Sequence, residues 1–299
     1  MALCVSGCSM FKTVGEHVGA STRKITRKIT GAGQHHKKKM AVAVFANQTA
    51  FSNDIFSRVF QPVLKTELTE ACSRVLFICP DDPQYPDFLT RLPLMPSGAV
   101  DHFSLAKQAR KQGINAVVVG HLTSVKTTQT LKGFIWFKET HPLVRVDMSV
   151  SVYDAETGSK LLDERFDASV EIDEDEMASI EDLKTADSPG IHQAFKQTAE
   201  AIAETVCDQI DEQPWKGFVV AVSGDKVILS SGEDTGLVAG DILEVFNSGS
   251  VIEGAGRQKY FLPGLKTGEI KITKIFPRRS EAVIISGDDI KADSSVKPR

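Results

Sequence analysis

The side chains in this sequence with the most reactive chemistry are its cysteines, histidines and clustered carboxylates. Five cysteines stand at positions 4, 8, 72, 79 and 207. None forms a C-x-x-C pair or a cluster with histidine, so neither a zinc cage nor a thioredoxin-like redox pair is encoded. Cys72 and Cys79 flank a predicted strand and read as buried free thiols. Pairing with each other in an oxidising compartment stays open, because spacing alone does not bring two Cα atoms within disulfide reach. His35 and His36 precede three lysines whose ammonium groups repel a metal ion. His121 closes a predicted strand and reads as a hydrogen-bonded structural residue. The acidic run Glu171–Glu176, "EIDEDE", lacks the glycine turn and spaced terminal glutamate of a calcium loop and reads as a solvated acidic loop. No phosphate-cradling glycine loop, nucleophile elbow or H-E-x-x-H helix occurs. The expectation is a non-enzyme with no catalytic residues, cofactor or metal.

One thiol has a different prospect. "MALCVSGCSMF", residues 1–11, sets small residues before Cys8, and Val5-Ser6-Gly7-Cys8 resembles a bacterial lipobox. The resemblance implies a lipidated Cys8, and Ser9 in place of aspartate implies sorting to the outer membrane. A signal peptide also needs a basic segment and about 7–15 apolar residues before the motif, which implies that the natural chain starts upstream of Met1 or has been trimmed. Between residues 9 and 40 stand eight Lys/Arg against Glu16 alone, although the whole chain carries a net −4. Residues 9–39 therefore read as a basic, solvated linker able to touch anionic headgroups. The acidic remainder argues against nucleic acid as a partner.

The elements that would position any site follow from periodicity. At 299 residues with 41% hydrophobic and 25% charged side chains, the chain suits about two domains. No run approaches the roughly 20 apolar residues of a membrane-spanning helix. Met40–Phe45 reads as a buried strand. A helix follows, capped by Ser52 or Asn53 and striped by Phe56, Val59, Phe60, Val63, Leu64 and Leu68, with a kink or break expected at Pro62. Val75–Ile78 is a second strand, and five prolines between 80 and 96 predict a long surface loop. Asp101 caps a helix that closes at Gly113 before a third strand, 114–120. From Val144 the period becomes two, with a turn at Asp154–Gly158 and a return strand. Ser188-Pro189 opens a last helix with its stripe at Phe195, Ala199, Ile202, Val206 and Ile210. Beyond Pro214, short strands at 218–222, 226–229, 241–246, 269–276 and 281–286 predict a small closed barrel, with Trp215 sealing the joint.

These segments carry a family resemblance. "MAVAVFANQT", "AKQARKQGINAVVVGHL" and "VDMSVSVYDAETGSKLLDERF" resemble, in order, the opening strand, helix–strand and D-x-x-T-G hairpin of TolB-N-like and curli-secretion (CsgG-like) domains; Ile114-Asn115 stands where that family has Ala-Asp. "GFVVAVSGDKVILSSGEDTGLVAGDILEVF" resembles the last domain of the periplasmic flagellar assembly protein T. The resemblance implies an α+β (α/β) fold: a mixed β-sheet flanked by helices over 40–213, then a smaller β-barrel over 214–295, behind a truncated signal at 1–8 and the linker at 9–39. It implies a tethered periplasmic scaffold that contacts envelope proteins, itself among them, and outer-membrane lipid through Cys8. The alternative, a CsgG-like channel subunit, would need a long membrane hairpin. The matching insertion, Lys126–His141, has an apolar tip of only Phe134, Ile135, Trp136 and Phe137, too short to line a pore and better suited to a partner or oligomer contact.

Overall fold

The structure of the chain, a computed structural model, describes residues 36–50, 53–134, 137–182 and 187–299. Its larger part is a mixed sheet in which β3 (Val75–Ile78), β1 (Lys38–Val42), β4 (Ala116–Phe134), β5 (Phe137–Asp154) and β6 (Lys160–Glu171) lie in that order, with the two-residue β2 (Ala46–Asn47) beside β4. β1 runs parallel to β3 and β4, whereas β4, β5 and β6 form an antiparallel meander. The two-residue period decides the faces. Val144, Val146, Met148, Val150 and Val152 are buried in one core, while Arg145, Asp147, Ser149 and Ser151 turn the other way.

Helices α1 (Asn53–Ala71) and α5 (Pro189–Asp211) cover that buried face. Their apolar stripes meet in an aromatic cluster, Phe56 stacked on Phe60 at 5.2 Å and both edge-on to Phe195. Of the kink or break expected at Pro62, the break does not occur: α1 runs through the proline as one helix. The four-residue spacing of Phe56, Phe60, Leu64 and Leu68 places apolar anchors on both sides of the proline, and their burial offsets one lost hydrogen bond. Ser188 caps α5 by accepting from the Ile191 N–H, as its sequence position predicts.

The disulfide differs from the sequence reading. Cys72, just past α1, is bonded to Cys207 on α5 with Cα atoms 5.4 Å apart, and Cys79 is the buried free thiol. Cys79 follows β3 and its N–H is taken by Asp82, whereas the end of α1 lies against α5. Burial pushes the Cys79 thiol up to about 12.

On the opposite face, α2 (Asp87–Thr90) and α3 (His102–Lys111) pack Leu89, Leu105 and Ala109 on Ala41, Ala43, Val117 and Val119. The proline-rich segment is thus not wholly irregular: α2 forms within it because Leu89 has a core to enter. The acidic segment is also not a loop. It forms α4 (Glu174–Glu181), capped by Asp173, with three acidic residues in its first turn favouring the helix dipole and Ile180 buried.

The remaining strands close an antiparallel barrel of β7 (Gly217–Ser223), β8 (Lys226–Leu229), β9 (Ile242–Phe246), β12 (Lys266–Ile275), β13 (Ser280–Gly287) and β14 (Ser295–Pro298), beside a ribbon of β10 (Val251–Glu253) and β11 (Lys259–Phe261). β14, which the boundary at 295 nearly cuts off, pairs with both β7 and β9 and closes the ring. Two residues assigned to the linker also belong to the fold: Lys38 and Lys39 start β1, and Lys39 is buried against Asp234 at 3.2 Å.

Candidate functional site

Two features occur where sheet and barrel meet, and the first is a polar joint. Its centre is the D-x-x-T-G turn. One oxygen of Asp154 accepts from the Thr157 N–H and hydroxyl, which sets the turn, and the other takes the Lys216 ammonium at 2.9 Å. Glu156 binds Lys216 at 2.9 Å through one oxygen, and Lys297 and the Ser295 hydroxyl through the other. Burial raises the Glu156 carboxyl, but Lys216 and Lys297 more than offset it and hold the group down to about 2. Lys216, lowered by burial and raised by the two carboxylates, ends above its ordinary value.

Arg110, in the last turn of α3, reaches across the same joint. It donates to the carbonyls of Ala155, Glu156 and Asp293, and its guanidinium lies 3.8 Å from the Phe261 ring centroid. Asn115 accepts from the Lys39 N–H at 2.8 Å and donates to the Lys216 carbonyl. An aspartate there, as the resembled family has, could accept but not donate. Gly113 is also required: its φ is +68°, and a Cβ would stand 2.1 Å from the Ser230 carbonyl oxygen. Each of these charges is met by protein groups, the arrangement of a joint that positions the barrel on the sheet.

The second feature is a cleft of about 700 Å3 beside this joint, within the size range of ligand sites, roughly 300–1,000 Å3. Its walls are apolar: Leu76 and Ile78 of β3, Pro83, Pro86, and Val220 and Ile228 of the barrel. Lys111, Arg278 and Arg279 stand on its rim. Two aspartates also line it: Asp82 pairs with Lys65 at 2.9 Å, and Asp234 pairs with Lys39, itself a lining residue, through one oxygen while its other oxygen is buried without a partner. Lys111, Arg278 and Arg279 stand in excess of these carboxylates. The arrangement suits an extended or flat ligand with apolar substance and negative charge.

None of the candidate site residues that fall among the described residues lines this cleft. Cys8, Ile135 and Trp136 lie outside the described residues. Phe134 and Phe137 pair by their main chains at the end of the β4–β5 hairpin. Among the described residues no cluster of three metal-ligating side chains occurs. His121 is half-buried, its pKa lowered by that burial, with Gln48 3.5 Å away. Trp215 is buried in the barrel core beside the His36 ring and donates to the Lys37 carbonyl at 3.1 Å. The cleft itself was invisible in sequence because its walls come from stretches far apart in the chain.

No family model and no curated protein matches this chain. Among solved structures, the hypothetical protein CT253 from Chlamydia trachomatis aligns with a TM-score of 0.41 at 17% identity, over 59% of this chain and 99% of its own. Lipoprotein GNA1162 from Neisseria meningitidis gives 0.30 at 11% identity, over 59% and 99%. TolB from Acinetobacter baumannii gives 0.30 at 11%, over 85% of this chain and 61% of TolB. These are distant structural likenesses to lipoproteins and TolB-like α/β domains.

Proposed function

We propose that the protein is a non-catalytic bacterial lipoprotein, anchored through Cys8 at the periplasmic face of the outer membrane, and a scaffold in an envelope or flagellar-type assembly. The observation that carries the reading is the Cys72–Cys207 disulfide joining two core helices. Such a bond persists in an oxidising compartment and is rare in a reducing cytoplasm. The joint supports the non-catalytic part of the reading, since its buried charges are spent on one another and on the backbone. Among the described residues no helix is long and apolar enough to cross a membrane. The channel alternative is disfavoured by the hairpin: "KTTQTLKG", residues 126–133, is polar on both faces, whereas a membrane strand alternates apolar and polar.

Fractionation of native cells tests the proposal. The wild-type protein should sediment with outer membranes, and Cys8→Ser should release it to a soluble fraction without loss of the fold's disulfide. Wild-type protein that is soluble and has an unmodified Cys8 contradicts the anchor. Ion conductance by the purified protein contradicts the scaffold.

A further inference from the structure

The two edges of the sheet are unlike. β6 presents Asp163, Glu164, Arg165, Asp167 and Glu171 along twelve residues, the charged dress by which proteins keep other strands off an edge. β3, the other edge, is Val-Leu-Phe-Ile, with no charge, proline or bulge. It lies along the cleft, between the proline-rich segment and the barrel.

The hydrogen-bonding pattern of β3 singles out one residue. Lys38 donates to the Arg74 carbonyl and pairs in register with Val75, so in this parallel ladder the even-numbered residues of β3 turn their N–H and C=O groups toward β1 and the odd-numbered ones turn theirs outward. Of the outward groups, the Val75 N–H is taken by the Cys72 carbonyl, the Cys79 N–H by Asp82, and the Cys79 carbonyl by the Asp82 N–H. That leaves the Val75 carbonyl and both main-chain groups of Phe77 facing away from the sheet. The Phe77 ring packs into the α1–α5 core, so its backbone is the part that borders the cleft.

We infer that the cleft takes an extended acidic peptide, which adds as a strand to β3 at Phe77, seats alternate apolar side chains against Ile78, Val220 and Ile228, and meets Lys111, Arg278 and Arg279 with its carboxylates. This names the partner class for the scaffold proposed above and rests on that reading for its biological context. Strand addition accounts for both halves of the site: main-chain bonds give affinity and side-chain pockets give specificity. A small inorganic anion would use the rim and leave the apolar walls and the open edge without a role. The basic sequence of residues 9–39, with Arg23, Lys24, Arg27 and Lys28, has the same sign as the rim and is a poorer charge match for it than an acidic peptide. A second copy offering β6 would bring that edge's alternating charged residues onto apolar walls.

The test is selection of random decapeptides displayed against the purified full-length chain. Survivors should share a carboxylate-rich end and alternating apolar residues. A synthetic survivor should lose about tenfold or more in affinity when its backbone is N-methylated at alternate residues, as expected for lost ladder hydrogen bonds. It should lose a similar factor against R278E/R279E. Since Arg279 also lies over the Phe276 ring, K111E serves as a second charge reversal, and the methylated peptide probes the edge without touching the protein. Binding that survives N-methylation, selection without acidic enrichment, absence of binders, or an oligomer that R278E/R279E dissolves would each overturn the inference. Preferential binding of anionic lipid vesicles through the same arginines would do so as well. The selection is run in solution, so its failure leaves the Cys8 anchor standing, and failure of the anchor leaves the cleft standing.

Discussion

The sheet's helix-covered face and its junction with the barrel are held by opposite means. The first is an apolar core stitched by Cys72–Cys207, with Phe56, Phe60 and Phe195 at its centre. The second is a buried network of Asp154, Glu156, Lys216 and Arg110 with Asn115 beside it. Apolar packing is non-directional and tolerates approximation, whereas a buried ion network fixes one geometry and is unforgiving of a missing member. Aromatic packing therefore makes the sheet with its helices, and charge tells the barrel where to sit. The cleft exists only because that seat is fixed.

The largest effects should come from breaking each side of the comparison at its centre. Phe60→Ala should cost about 3–5 kcal/mol in urea unfolding through the cavity it leaves. Lys216→Ala should cost a similar amount, about 3–5 kcal/mol, because Asp154 and Glu156 both lose the ammonium group that bridges them in a buried site. The two variants separate by pH: the cost of Phe60→Ala should not vary between pH 4 and 8, while that of Lys216→Ala should shrink in acid as the Glu156 carboxylate, deprived of the Lys216 charge that helps hold its pKa down, protonates. Equal pH profiles would remove the distinction.

Next is the disulfide. The double variant Cys72→Ser/Cys207→Ser should lose about 2–5 kcal/mol relative to the oxidised protein, since the bond closes a long loop. Treating the wild type with reductant should give the same loss, read as a shift in the urea midpoint.

A smaller effect sharpens the charged side alone. The Glu156 carboxyl titrates near 2 in the folded chain, below its ordinary 4.5. A depressed carboxylate stabilises the fold above its unfolded pKa and loses that contribution as pH falls through the folded value. Wild-type stability should thus decline progressively between about pH 5 and pH 2, and Glu156→Gln should flatten that decline. An unchanged slope in the variant would show that other carboxylates govern the acid limb.

How much of this could be read from sequence follows the same division. The strands at 75–78 and 144–152 and the helices ending at Gly113 and starting at Ser188 were legible because local period and capping residues specify them. The barrel's strands were legible for the same reason, except β14, whose four residues end in a proline. α4 was missed because its dense carboxylates read as solvent-loving, although in a first helical turn they favour the helix. The Cys72–Cys207 pair lies 135 residues apart in sequence, and nothing local announces it. The joint and cleft were illegible for the same reason: Arg110, Asp154, Lys216 and Ser295 each look like ordinary surface residues until the chain brings them together. Asn115 in place of aspartate was the one local signal, and its meaning needed the Lys216 carbonyl.

The smallest effect predicted is none at all. Cys79, buried and with its thiol pushed up to about 12, should resist iodoacetamide in the folded protein at pH 8 and react only on unfolding. Rapid labelling of Cys79 in the native state would mean that the region beside β3 opens.

With Cys72 and Cys207 joined, this fold is proposed to mature outside the reducing cytoplasm. Mass mapping of protein isolated from its native cells under acid-quenched, non-reducing conditions checks this. A linked Cys72–Cys207 peptide and an alkylation-silent Cys79 are expected in the folded protein. Free thiols at both Cys72 and Cys207 would contradict it.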